Sequence, residues 1–274
     1  MALKLPSAER VHVVDWNLLQ TMPADNDWFA GKACLIPETA LIECIEKTGL
    51  RASGYAWRFE NWILKSSANI YWARDIYKLF KLQHAKNRSL HRGDLIDPFN
   101  TRGIRTARRN GVLGLTAQIN AMRSEKRLIG MKEMREWWVK YCEAFSSEAA
   151  SDWKTNSEMR SVVSGSEKLS RWLNNYHVYG RWAAKTHGRF CRPEWKVQMI
   201  TNPHRFAVVR WEKLALYYSL RRLAGDSEKF ENNFEDAQYL LLATYSGHLA
   251  TSDGGLKGAA KVCFPGLRVW NPVG

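Results

Sequence analysis

The stretch VHVVD at residues 11–15 is β-branched and apolar apart from His12, and it ends on an acid. Such a run reads as a short buried strand with Asp15 at its carboxyl end. Working outward, ACLIP at 33–37 reads as a second short strand. ETALIECIEKT at 38–48 then places Ala40, Leu41, Cys44 and Ile45 at helical spacing, with Gly49 as a stop. Near the other end, DAQYLLLATYS at 236–246 reads as an apolar helix closed by Gly247. HLAT at 248–251 follows as a strand that runs into Ser252-Asp253, and LRVW at 267–270 reads as a last strand. This alternation predicts an α/β fold with a parallel sheet flanked by helices.

The middle of the chain reads differently. Tyr55 to Gln83 carries Trp57, Trp62, Ile63, Ile70, Tyr71, Ile76, Leu79 and Phe80 at three-to-four spacing, which reads as helical. Met131 to Phe145 and Glu167 to Trp182 read the same way; past the middle, Arg205 to Ala224 reads as a helix and Asp226 to Asn233 as a polar connection. RGIRTARRNG at 102–111 is a basic segment with glycines and reads as a loop or helix start. The expected organisation is a discontinuous core from residues 1–50 and 202–274. Residues 51–201 form a large, mainly helical insertion, a lid or RNA-recognition module.

Composition narrows the function classes. The 274 residues include 41 Lys and Arg against 27 Asp and Glu, a formal net charge of +14. That field favours polyanionic partners, nucleic acid first and an anionic membrane surface second. Thirteen Trp supply core bodies and, at some positions, stacking surfaces for bases. Five scattered cysteines without Cys-x-x-Cys spacing argue against a disulfide scaffold or zinc ribbon. The seven His show no metal-ligand spacing. The N-terminus lacks the apolar core of a signal peptide and no stretch is long enough to span a bilayer, so a cytoplasmic protein is expected, with no membrane association.

Four acids sit beside apolar elements rather than on a charged surface: Asp15, Glu43, Asp236 and Asp253. Carboxylates near a core are costly unless paired or neutralised by a cation. Hard oxygen ligands suit Mg²⁺ or Mn²⁺. Each acid also has a plainer reading: Asp15 as a helix cap, Asp236 as a helix N-terminal acid, Asp253 as a turn former and Glu43 as a solvated helix residue, with Glu38 its rival.

VHVVDWN resembles the first strand of PIN domains, where an acid is followed two residues later by Asn. IPETALIEC resembles that family's second strand and helix, and EDAQYLLLATYSGHLATSD its closing helix and strand ending in Thr-x-Asp. The resemblance covers about the first 50 and last 75 residues. It implies a PIN-like central parallel sheet and a metal-dependent endoribonuclease. Asp15, Glu43, Asp236 and Asp253 would be the metal-binding acids, and Asn17 and Thr251 supporting hydrogen-bond residues. Ser252 lies between Thr251 and Asp253. Arg102, Arg105, Arg108 and Arg109 are candidate phosphate contacts. The partners implied are an RNA substrate and, for a toxin, an antitoxin or other neutralising protein. RNA processing and defence against phage are further roles of such nucleases. Three other readings compete: a structure-specific DNA nuclease, a non-catalytic RNA-binding module, and a phosphatase using a strand-end Asp. The phosphatase ranks last, since Asn17 stands where that chemistry wants an acid or Thr.

Overall fold

The computed structural model describes residues 11–21, 28–46, 52–86, 90–112, 127–150, 166–174, 193–224 and 232–272. Among the described residues five strands form one sheet: β1 (Val11–Val14), β2 (Ala33–Ile36), β3 (Asn69–Trp72), β4 (Gly247–Ala250) and β5 (Arg268–Trp270). Their order is β3-β2-β1-β4-β5 and every pairing is parallel. β1 is central, with Val13 in register with Leu35 on one side and Leu249 on the other. All four of its residues are buried. A strand covered on both faces needs no polar alternation, which is why 11–14 reads as a continuous run.

Helices cross between the strands. After β1 comes α1 (Trp16–Thr21), and after β2 come α2 (Glu38–Glu46) and α3 (Ala52–Lys65). The long passage from β3 to β4 carries α4 (Ile76–Lys86), α5 (Pro98–Asn110), α6 (Arg127–Ala150), α7 (Ser166–Leu173), α8 (Pro193–Thr201), α9 (Ala207–Leu223) and α10 (Asn233–Ser246). α11 (Gly254–Cys263) links β4 to β5. α10 packs on β1 and β4 and is buried around most of its circumference. It ends at Gly247, whose φ of 91° is left-handed backbone that glycine adopts without strain.

Two expectations are corrected. Tyr55 to Gln83 is not one helical stretch, because β3 interrupts it. Ser66 stops α3, its hydroxyl accepting the Ala68 N–H at 3.0 Å, and NIYW then pairs with β2. A short β-branched and aromatic run cannot be told from a helix turn by periodicity alone. The sheet therefore draws on residues inside the 51–201 segment, and its core does not stop at residue 50. RGIRTARRNG is likewise no loop. Its residues to Asn110 lie within α5, which Gly111 closes in left-handed backbone and Asp97 caps by accepting from the Phe99 and Asn100 N–H groups, each at 3.0 Å, with Pro98 at the first helical position. α5 covers the free edge of β3, where the Trp72 N–H donates to the Thr101 hydroxyl at 3.0 Å. Of the expected helix at 167–182, the structure describes only the part to Leu173 and the turn at Asn174.

Most of the described tryptophans are core. Trp138 and Trp211 meet at 4.7 Å between centroids, and Phe234 packs 5.9 Å from each, joining α6, α9 and α10. Cys34, Cys44, Cys142 and Cys263 are buried. Among the described residues no helix is long and apolar enough to cross a membrane.

Candidate functional site

In an open parallel sheet the crevice outside the carboxyl ends opens where the strand order reverses. Here the chain winds from β1 outward to β3, then restarts at β4 on the other side of β1. The reversal lies between β1 and β4. Asp15 follows β1 directly, and Thr251 and Asp253 follow β4.

Asp15 is 1% exposed. One of its oxygens accepts the Thr251 hydroxyl at 2.7 Å, and the other accepts the Asn17 N–H at 3.3 Å. Thr251 is fully buried, and its oxygen in turn accepts the Asp253 N–H at 2.9 Å. This one hydroxyl ties the two strand ends together. Asp253 caps α11, accepting the Leu256 N–H at 2.7 Å. Glu43 reaches in from α2 and accepts the Tyr239 hydroxyl at 2.6 Å. The Tyr239 oxygen also accepts the Trp16 N–H at 3.3 Å. Asp236 stands one turn before Tyr239 on α10, hence on the same face.

The electrostatics show how close these groups are. Burial pushes Asp15 up to about 7, and the charges of Glu43 and Asp253 add to the rise, against the Thr251 and Asn17 hydrogen bonds. Burial raises Asp236 well above the carboxylate range, followed by the charges of Asp15, Asp253, Glu43 and Glu235. Tyr239 is held protonated by burial and by Glu43. Asp236 makes no hydrogen bond or ion pair among the described residues, and no Lys or Arg pairs with Asp15 or Asp253 there. The charges of acids from separated stretches thus raise the cost of ionising Asp15 and Asp236.

The remaining expected residues fall as follows. Glu43, not Glu38, is the acid of α2 that Asp15 and Asp236 sense. Asn17 supports Asp15 through its backbone N–H rather than its side chain. Thr251 acts through its hydroxyl. Arg108 is engaged within the fold: its guanidinium donates to the Ala68 carbonyl at 2.8 Å and to that of Ser66, closing the end of α3 at the amino end of β3. Arg109 follows it in the last turn of α5, whereas Arg102 lies in the first turns and Arg105 stacks over Tyr71 at 5.6 Å. Arg102, Arg105 and Arg109 are exposed.

Two residues went unread in the sequence. Tyr239 looked like one more apolar position of an apolar helix, although its spacing of three from Asp236 was available as a signal. Gln238 accepts the Thr39 hydroxyl at 2.9 Å and locks α10 to α2.

The donor set is oxygen only and of one charge sign, which suits a hard divalent cation. Yet among the described residues no group of three or more His, Cys, Asp or Glu side chains forms a ready-made metal cage. The chemistry of the residues fits the cation better than their spacing does. No protein-family model, curated protein or solved structure matches this chain.

Proposed function

We propose that this chain is a metal-dependent endoribonuclease with a PIN-like core, hydrolysing RNA phosphodiester bonds at the acid cluster. The observation that supports it is the convergence of Asp15, Glu43, Asp236 and Asp253 on the β1/β4 reversal, where Asp236 carries no hydrogen bond or cation partner among the described residues. Such a cluster is stabilised when a cation joins it. These four acids would hold Mg²⁺ or Mn²⁺, which supplies a water of lowered pKa and positive charge for the leaving oxygen.

The chain's own groups prepare that chemistry. Thr251 and the Asn17 N–H grip the two oxygens of Asp15 and fix the plane of the carboxylate. Tyr239 orients Glu43 in the same way. Asp15, with its affinity for a proton near neutrality, gives that proton up as a cation enters. The charge of +14 speeds encounter with RNA. Trp137, half exposed and stacked on Tyr141 at 4.8 Å, offers an aromatic face for a base in the helical region between β3 and β4.

The test is cleavage of assorted single-stranded and structured RNAs with Mg²⁺, with Mn²⁺ and with EDTA. Products are expected only with metal, and not from Asp15→Asn plus Asp253→Asn. Cleavage that survives EDTA or those substitutions overturns the mechanism. Matched DNA substrates, cut faster, would reassign the chain to the DNA nucleases. A second reading is favoured by one observation, the lack of a ready-made cage among the described residues: a PIN-like module that binds RNA without cutting it. Millimolar Mn²⁺ separates the two, since only the nuclease gains thermal stability from it.

A further inference from the structure

A second pocket lies at the other end of the sheet. Its volume is about 320 Å³, within the range of sites that hold small organic ligands. Thr244 and Gly247 line it where α10 passes into β4, and Phe264 and Leu267 line it just before β5. It therefore opens at the amino ends of β4 and β5, a strand length of roughly 13 Å from the acid cluster at about 3.3 Å per residue.

Two cations reach this pocket from one face of α9. Arg210 and Lys213 are three residues apart, and both line it. No Asp or Glu is among the described residues that line it. Arg210 is held rigidly by neutral partners. Its Nε donates to the His204 carbonyl at 2.6 Å, a terminal nitrogen donates to the Thr244 hydroxyl at 2.7 Å, and its plane lies 3.9 Å from the centre of the Tyr245 ring. Of five N–H groups, three remain for a ligand. The Lys213 ammonium donates to Asn174 at 2.5 Å and sits 4.9 Å over the Phe264 ring. Arg92 lies beside Gly247 of the pocket wall, one of its nitrogens 3.6 Å from where a Cβ on Gly247 would stand. Burial pulls Lys213 down to about 8 and Arg210 below its ordinary range, so an oxyanion here would relieve both. The rest of the wall is apolar, including Leu173, Val209 and Pro265.

We propose that this pocket binds a small phosphomonoester. Its phosphate oxygens lie between Arg210 and Lys213, and its organic body lies against Phe264 and Pro265. A fixed guanidinium fork beside an ammonium matches an oxyanion of more than one charge, and the apolar wall selects an ester over free phosphate.

Isothermal titration of the full chain in EDTA, at constant ionic strength, tests this with three probes: phenyl phosphate, inorganic phosphate and benzyl alcohol. Phenyl phosphate is expected to saturate a single site. Inorganic phosphate binds about fivefold more weakly, and benzyl alcohol does not bind. Lys213→Gln weakens phenyl phosphate by about tenfold, and Arg210→Lys, which keeps charge but loses the fork, by about threefold. Asp253→Asn, at the other end of the sheet, leaves the affinity unchanged, which makes the result independent of the nuclease reading. Should either pocket variant fail to fold, the exposed Arg92→Gln is expected to weaken binding about twofold. Absence of saturable binding overturns the proposal. So does affinity that is unchanged in the folded pocket variants, or abolished by Asp253→Asn.

Discussion

At the residue scale, the acid cluster sets stability against chemistry. Asp15 has its folded-state affinity for protons raised to about 7, against an ordinary value near 4. Between those values the folded chain keeps a proton that the unfolded chain has lost. Stability without metal therefore falls as pH rises from about 4 to about 7, and levels off above. Melting curves in EDTA across that range are expected to show the decline, and Asp15→Asn to flatten it and to melt several degrees higher at pH 8. At this chain size 1 kcal/mol corresponds to roughly 2–4 °C. A variant that melts lower than the parent at pH 8 would contradict the cluster. Tyr239 is a positioning residue, since it acts through Glu43. Tyr239→Phe removes the hydroxyl that serves both Glu43 and the Trp16 N–H. It is expected to raise the Mn²⁺ concentration needed for half-maximal activity about tenfold, with a smaller effect at saturating metal. Loss of stability with an unchanged metal requirement would make Tyr239 merely structural.

At the scale of elements, α5 shows how an arginine-rich segment is divided between structure and surface. Its first turns cover the open edge of β3 through Thr101, and its last turns close α3 through Arg108. Arg108→Ala leaves two carbonyls without a charged donor and is expected to cost about 1.5–3 kcal/mol, read as a lowered urea midpoint with unchanged slope. RNA affinity at a temperature where the variant is folded should not change. α10 has a related double use: it packs on β1 and β4 and carries Asp236, Gln238 and Tyr239 towards α2. Arg135, from α6, pairs with the buried Glu235 at 2.5 Å beside Asp236. The helical region is thereby fastened to the first turn of the helix that carries this acid.

At the scale of the molecule, the proposed nuclease would meet RNA through its charge of +14 and grip it by cations apart from the acid cluster. Arg102 and Arg105 are exposed, and Arg102 lies at the end of α5 nearer the carboxyl ends of the strands. Arg102→Ala with Arg105→Ala is expected to weaken single-stranded RNA binding. The slope of log affinity against log salt should fall by about 0.7 for each phosphate that is no longer neutralised. A slope unchanged in the double variant would remove α5 from the RNA surface. The two ends of the sheet carry opposite characters. Acids gather at the carboxyl ends of β1 and β4, and Arg210 and Lys213 at the amino ends of β4 and β5.

The residues themselves determined the parallel sheet's core. VHVV and ACLI, bounded by an acid and a proline and rich in β-branched and aliphatic residues, fit strands covered on both faces. Strand-end acids followed from the same runs, so Asp15 and Asp253 were legible locally, as was the apolar helix before Gly247. NIYW was not, since a four-residue strand between two helices carries no distinct period, and its partner lies in a distant stretch. Only tertiary structure decided which acids meet. Thr251 lies 236 positions from Asp15, and Tyr239 lies 196 from Glu43. Hydrogen bonds across such separations depend on strand order and helix docking, which no local pattern encodes. The same holds for Arg108 and Arg210: both sit in basic segments, and only the carbonyls, rings and walls around each reveal what its charge serves.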